Sequence, residues 1–264
     1  MKALMADQAQ ALTSERLAAL QAAVPGLVAV ARYLFAGATV SGTDATVPTP
    51  VADPLTTEEI ATIQAAGLAL LPIANNFGYG EENTPASCAA TAQQAIDQMR
   101  ALGMPAGVYP VWDLETWPFV SGAVASILAV GRASIYGGSG ILYCNPASAV
   151  VTEWQALRGA GNADAQRALL WIARYVPGAA TTPPPWAPGV DDPAVMAWQD
   201  TDHGPDGTDL SELRLGAILS VGGVAEGLLL PDGSVGAPPS PERAVALAAI
   251  DAAQAALQQA RAAL

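Results

Sequence analysis

Short apolar runs alternate with amphipathic segments along most of this chain. Residues 2–7 predict a first strand ending at Asp7. Thr13 or Ser14 caps a helix over 14–23 that turns Leu17 and Leu20 inward, and Pro25-Gly26 breaks it. The run 27–35 is a buried strand with Arg32 and Tyr33 near its end. A loop rich in Gly, Thr, Ser and Pro fills 36–55, and Thr56-Thr57-Glu58-Glu59 opens a second helix that Gly67 stops. Strand 68–74, a polar and aromatic loop at 75–80, and a helix from Thr84-Pro85 to about Leu102 follow. Further strands are expected at 107–113, 141–144, 169–176, 195–199 and 208–210, with helices over 118–135 and 146–157. A proline-rich loop, Pro183-Pro184-Pro185-Trp186, stands where the next helix is due.

Eight strands separated mostly by helices or long loops predict an α/β architecture with a parallel sheet. Eight units favour a (β/α)8, TIM-like barrel over a doubly wound sheet. No G-x-G-x-x-G follows the first strand, which counts against a dinucleotide fold. Gly137-Gly138-Ser139-Gly140 precedes a strand and reads as a turn. The barrel is assigned to 1–215, a linker or hairpin to 216–240, and a C-terminal helix to 241–264, started by Ser240-Pro241-Glu242. Leu247, Ile250, Leu257 and Leu264 follow a 3,4 spacing together with Gln254 and Arg261. That spacing fits homo-oligomerisation, docking on a larger assembly, or packing back on the barrel.

Composition narrows the partners. The 264 residues are 52% hydrophobic, ample for one large α/β barrel or two smaller domains. Against 24 Asp and Glu stand 11 Lys and Arg, a net charge of −13. Phosphate backbones need a basic surface, so nucleic acid is not an expected partner. Cys88 and Cys144 define no disulfide framework or zinc pattern, and whether they bridge stays open. With His203 the single histidine, neither a His-based metal site nor a catalytic triad is expected, and no cofactor is implied. The N-terminus reads as lacking a signal peptide, and no run reaches the roughly 18 apolar residues of a membrane span.

A barrel of this kind carries its chemistry at the C-terminal strand ends. Acidic residues expected there are Asp7, Asp113, Glu115, Asp200, Asp202 and Asp209. In Val108-Tyr109-Pro110-Val111-Trp112-Asp113-Leu114-Glu115 an apolar run ends in two carboxylates. If the strand continues, its period of two places Asp113 and Glu115 on one face, roughly 6–7 Å apart at the backbone. Such a pair suits acid/base cleavage of a sugar bond; a strand ending in a solvated acidic turn is the plainer alternative. Several acids in one mouth raise one another's pKa and help keep one a proton donor. Tyr33, Phe35, Phe77, Tyr79, Trp117, Trp171, Tyr175, Trp186 and Trp198 supply aromatic rings near the same ends, although Trp171 and Trp198 also suit the core.

Four motifs in order, Trp112-Asp113-Leu114-Glu115, Trp171-Ile172-Ala173-Arg174-Tyr175, Ala197-Trp198-Gln199 and Gly207-Thr208-Asp209-Leu210-Ser211, resemble glycoside hydrolase family 25. The chain is closer still to the glycoside-hydrolase-like barrel domains of actinobacterial cell-wall proteins and actinobacteriophages, which carry a buried R-Y-L, here Arg32-Tyr33-Leu34. The resemblance spans about residues 2–215. It implies Glu115 as general acid/base, Asp113 orienting the substrate's 2-acetamido group, and Asp7 and Asp209 completing the acidic cluster. Tyr33, Phe77, Trp117, Tyr175, Trp198 and Asp200 are the candidate substrate contacts. Asp200 stands where family 25 has Tyr, and Ser211 where it has Asn.

The expected function is a lysozyme-like hydrolase of cell-wall glycan, muramidase-like on peptidoglycan. The alternative is a catalytically weak or inactive glycan-binding or structural component of a phage tail. Either fits a virion protein or endolysin, or another route of delivery to the cell envelope.

Overall fold

The computed structural model describes residues 4–38, 51–77, 83–115, 120–136, 139–145, 147–173, 194–201, 208–213 and 228–235. Strand β1 (Leu4–Gln8) leads into α1 (Ser14–Ala23) and β2 (Leu27–Tyr33). A two-stranded pair, β3 (Gly37–Ala38) and β4 (Val51–Ala52), precedes α2 (Thr57–Ala65) and β5 (Ala69–Ala74). Then come α3 (Pro85–Ala101), β6 (Val111–Asp113), α4 (Ala123–Ala133), β7 (Ile141–Cys144), α5 (Ala149–Gly159) and the short α6 (Ala163–Arg167). Strands β8 (Leu169–Ala173), β9 (Val195–Thr201) and β10 (Asp209–Leu213) complete the series. Helix starts follow local chemistry: the hydroxyls of Thr13, Thr56, Thr84 and Ser148 each accept the backbone N–H three residues on. The expected C-terminal helix 241–264, Pro183–Trp186 and His203 lie outside the described residues.

Eight strands close a barrel in the order β1-β10-β9-β8-β7-β6-β5-β2. The α/β TIM-like barrel read from the sequence is therefore the fold. One strand departs from it. All neighbouring pairs from β1 through β2 and on to β9 are parallel, but β10 is antiparallel to both β9 and β1. Chain length is the reason. Only residues 202–208 join β9 to β10, whereas a parallel crossover needs a dozen or more. A short link returns the chain antiparallel.

Strand alternation sorts the side chains into two layers. Met5, Ala31, Ile73, Val111, Tyr143 and Trp171 are among those that fill the interior. Val30, Leu70, Trp112, Leu142 and Ile172 lie between the barrel and its helices. Small residues on β2 leave room for Tyr143 and Trp171, whose rings sit 4.7 Å apart. Gly140, at φ +92, allows the close approach of β6 and β7: a Cβ there would collide with Trp112 Nε1 and lie 2.8 Å from Pro110 O.

The expected strand at 107–113 shortens to three residues, because Pro110 has no N–H to give a ladder. Pairing between β5 and β6 is confined to Ile73 with Val111 and Ala74 with Trp112. Below it, Leu70 exchanges both backbone hydrogen bonds with Leu229, at 2.8 and 3.0 Å. Leu229 bridges Val235 across a tight turn, while Leu228 and Leu230 join the interior. Residues 228–235 thus pack at the end of the barrel opposite the C-terminal ends of its parallel strands.

Arg32 is the other fixed point. Fully buried on the outer face of β2, it binds Glu59 of α2 through Nε at 2.6 Å and Nη2 at 3.2 Å. Its remaining donors reach the Gln8 and Asp53 carbonyls, and Glu59 also accepts from the Leu12 N–H at 2.7 Å. The residue thereby ties β1, β2, α2 and the segment after β4 together. Replacing Arg32 with Met strands a buried carboxylate, and an unfolding cost of about 3–5 kcal/mol is expected. In the double variant Arg32→Met/Glu59→Leu much of that loss should return. Urea unfolding of the two proteins checks this.

Candidate active site

The antiparallel course of β10 decides which residues share the mouth. Asp209 is its first residue and pairs in register with Asp7 on β1. Opposed positions on an antiparallel pair project to the same side, so two carboxylates stand next to each other. Alternation directs both inward, in line with Met5 and Leu213 of the interior. Asp7 is 5% exposed; its Oδ2 accepts from the Tyr33 hydroxyl at 3.2 Å, and its Oδ1 has no partner. Tyr33 reaches it from the neighbouring strand, two positions on from interior Ala31.

Asp113 ends β6 on the interior side, beyond Val111. The expected strand end at Asp113 holds, so Glu115 lies beyond the strand and not on a continuation of its face. The strand stops at Asp113, whose Oδ1 accepts from the Glu115 N–H at 3.4 Å. Asp side chains bind backbone two residues ahead and so initiate turns in place of ladder pairing. Leu114 still donates to Tyr143 O at 3.0 Å, which anchors the turn. Glu115 therefore sits on the rim of the mouth, exposed to solvent, with Asp113 half-buried behind it.

Proton affinities follow from this crowding. Burial, then Asp209 and Asp113, hold the Asp7 carboxyl well above the usual carboxylate range, against the Tyr33 hydrogen bond and Arg32. Burial pushes Asp113 up to about 6, opposed by the Glu115 N–H. Enclosure of its carboxyl, then Asp113, Asp7 and Asp209, push Glu115 up to about 9, opposed by its side-chain hydrogen bond with Tyr143. Water at the exposed outer face of Glu115 tempers that rise. Two such close carboxyls titrate as a pair.

Tyr143, Gln199, Trp171 and Ser211 were not singled out as site residues by sequence. All four are buried. The Tyr143 hydroxyl donates to Gln199 Oε1, and Trp171 Nε1 donates to Ser211 Oγ at 2.9 Å. Their signal was alternation: Ile141 and Tyr143 share one face of β7, as Ala197 and Gln199 share one face of β9.

Two expected substrate contacts do not reach the mouth. Phe77 is buried outside the barrel, edge-on to Trp112 at 6.3 Å and 86°. Trp198 is 3% exposed in the same outer layer, since its neighbour Ala197 takes the inward position. Tyr33 does lie in the cluster. Asp200 falls within β9, but its side chain, like Trp117 and Tyr175, lies outside what the structure describes. Cys88 and Cys144 are both free and buried. Among the described residues, no group of three or more His, Cys, Asp or Glu could hold a metal ion, and no helix is long and apolar enough to cross a membrane.

Residues 26–118 match the family described as the Rv2525c-like, glycoside hydrolase-like domain. The matched stretch contains Arg32, Tyr33, Asp113 and Glu115, so the glycoside-hydrolase-like resemblance read from those motifs holds. The barrel is similar to an uncharacterized protein of B. stearothermophilus, with 21% identity over 80% of this chain and 96% of that one, TM-score 0.62. It is also similar to the Mycobacterium tuberculosis Tat-secreted protein Rv2525c in complex with L-tartrate, with 16% identity over 81% and 96% of the two chains, TM-score 0.51. A family GH25 lysozyme from Aspergillus fumigatus matches at 15% identity over 81% and 94%, TM-score 0.43. At these identities the likeness is one of fold. No curated protein matches the chain.

The raised carboxyls make folding depend on pH. Asp7, Asp113 and Glu115 all bind protons more tightly folded than unfolded. Their contribution is fully present below the unfolded pKa, near 4, and is lost as pH rises through the folded values. Stability is expected to fall from pH 4 towards pH 9. Asp7→Asn removes a carboxyl whose ionisation is opposed by burial and by Asp209 and Asp113, and should raise stability at pH 8 by at least about 1 kcal/mol. Denaturant unfolding at several pH values measures both effects.

Proposed function

We propose that the chain is a hydrolase of cell-wall glycan, muramidase-like on the β-1,4 bond of peptidoglycan, with Glu115 as its general acid/base. The observation that supports this most is the convergence of Asp7, Asp113, Glu115 and Asp209 on one barrel mouth. Enclosure of its carboxyl, then repulsion from the other three acids, pushes Glu115 up to about 9, in the direction that a proton donor near neutral pH requires. The glycoside-hydrolase-like match over 26–118 supports the substrate class.

On this reading Glu115 gives its proton to the glycosidic oxygen as the bond to C1 breaks. Asp113, ionised first of the pair, holds the N–H of the 2-acetamido group. The acetamido carbonyl oxygen bonds to C1, forming a cyclic intermediate. Water then adds to C1, the Glu115 carboxylate takes the water's proton, and the ring opens to restore the acetamide. Tyr33 and Asp7 line the floor beneath the sugar.

A second reading has one observation in its favour. Ser211, where family 25 has Asn, is buried and engaged with Trp171 Nε1. It therefore offers the sugar no side-chain contact, and a barrel lacking that contact would grip glycan without cutting it.

Glu115→Gln separates the two. Hydrolysis, followed as turbidity loss or reducing-end release from purified cell walls, should drop at least about 100-fold with folding intact. Equal activity in the variant and the parent excludes Glu115 as acid/base, and no release by the parent leaves the glycan-binding reading. The active parent should show a bell-shaped pH dependence. Activity rises as Asp113 ionises around pH 6 and falls as Glu115 loses its proton towards pH 9.

A further inference from the structure

Glu115 touches more than other acids. The Tyr143 hydroxyl reaches its carboxyl from the adjacent β7 strand. That hydroxyl has one proton, and it is directed at Gln199 Oε1. Tyr143 is 4% exposed and Gln199 fully buried, so water does not compete for the contact. The Trp171 ring lies 4.7 Å from the Tyr143 ring and is itself held by Ser211, which leaves the phenol little freedom to turn away. Glu115, Tyr143 and Gln199 therefore form a line running from the rim into the barrel interior.

The number of protons on that line limits its states. A phenol whose O–H is given to Gln199 can only accept from a third group. The partner that suits it is a carboxylic acid O–H, which is Glu115 in its donor form. When Glu115 is a carboxylate, it needs the phenol proton for itself. The Glu115 carboxylate and Gln199 Oε1 then compete for one phenol proton.

We propose that Gln199 is a positioning residue that acts through Tyr143 to orient the Glu115 carboxyl and to favour its protonated form. The inference rests on the reading of Glu115 as acid/base. Among the described residues, the charged and titratable groups facing that carboxyl are Asp113 on β6, Asp7 on β1, Asp209 on β10, Tyr143 and Cys144 on β7, and Tyr33 of β2 behind Asp7. Gln199 is the neutral group through which the Tyr143 proton can be withdrawn from this set.

The test titrates Glu115 itself. Full-length protein with carboxyl-13C glutamate is followed by NMR across pH, the Glu115 signal being assigned by its loss in Glu115→Gln. Gln199→Met frees the phenol proton for the carboxylate, and the Glu115 midpoint should fall by about one pH unit. Gln199→Asn, which retains an amide but is one methylene shorter, should give a fall in the same direction and serves if the Met variant does not fold. In a Tyr143→Phe background either substitution should leave the midpoint where Tyr143→Phe alone puts it. An unmoved midpoint in Gln199→Asn or Gln199→Met, or an equal fall with and without Tyr143, overturns the proposal. The titration needs no substrate. Absence of hydrolysis by the parent protein would thus defeat the assignment of Glu115 as acid/base, whereas the NMR result judges Gln199 alone. In an active protein the alkaline limb of the pH profile should move with the midpoint.

Discussion

The seam between β1 and β10 is the constraint on which the mouth depends. It closes the barrel, and its register sets Asp7 against Asp209. Like charges opposite one another weaken a strand pair, so this closure is made at some energetic cost. The cost has a chemical consequence. A carboxyl that enters such a cluster gives up its proton less readily, and Glu115 on the rim inherits part of that effect.

The rest of the molecule compensates for that repulsion by tying the same strands elsewhere. Arg32 sits one residue before Tyr33, on the other face of β2, and reaches β1 through Gln8 O and α2 through Glu59. Gln8, immediately after Asp7, also donates to buried Thr208, immediately before Asp209. The two acids are thus bracketed by neutral or compensated hydrogen bonds on the outer face. At the opposite end, Leu228–Leu230 seal the interior and pair the edge that Pro110 leaves open. Rigid packing below permits a strained arrangement of charge above.

Part of the site was legible in the chain. Asp7 and Asp113 lie at or beside the C-terminal ends of their strands, as the period of two and the ends of apolar runs predict, whereas Asp209, expected at a C-terminal strand end, begins β10 and comes beside Asp7 because that strand runs antiparallel. The aromatic contacts were less legible. Phe77 and Trp198 suit a sugar site by type, and a ring near a strand end says nothing of which side of the wall it faces. Trp198 faces outward because Ala197 faces inward, after an irregularity in the pairing of β8 with β9. The end of β6 at Asp113 was legible, and the Asp113 side chain makes the turn beyond it by capturing the Glu115 N–H.

Sequence alone determined the order of the main elements, the starts of the first three helices, the eight barrel strands and the placing of Asp7 and Asp113 at or beside the ends of theirs. Each of these rests on interactions among residues a few positions apart. Tertiary structure decided the direction of β10, the alignment of Asp7 with Asp209, the hairpin at Leu70, and the line from Glu115 through Tyr143 to Gln199. These join residues far apart in the chain, for instance 56 positions between Tyr143 and Gln199. No local pattern encodes such a pairing. It follows from strand register around a closed barrel, which exists only once every strand has found its neighbours.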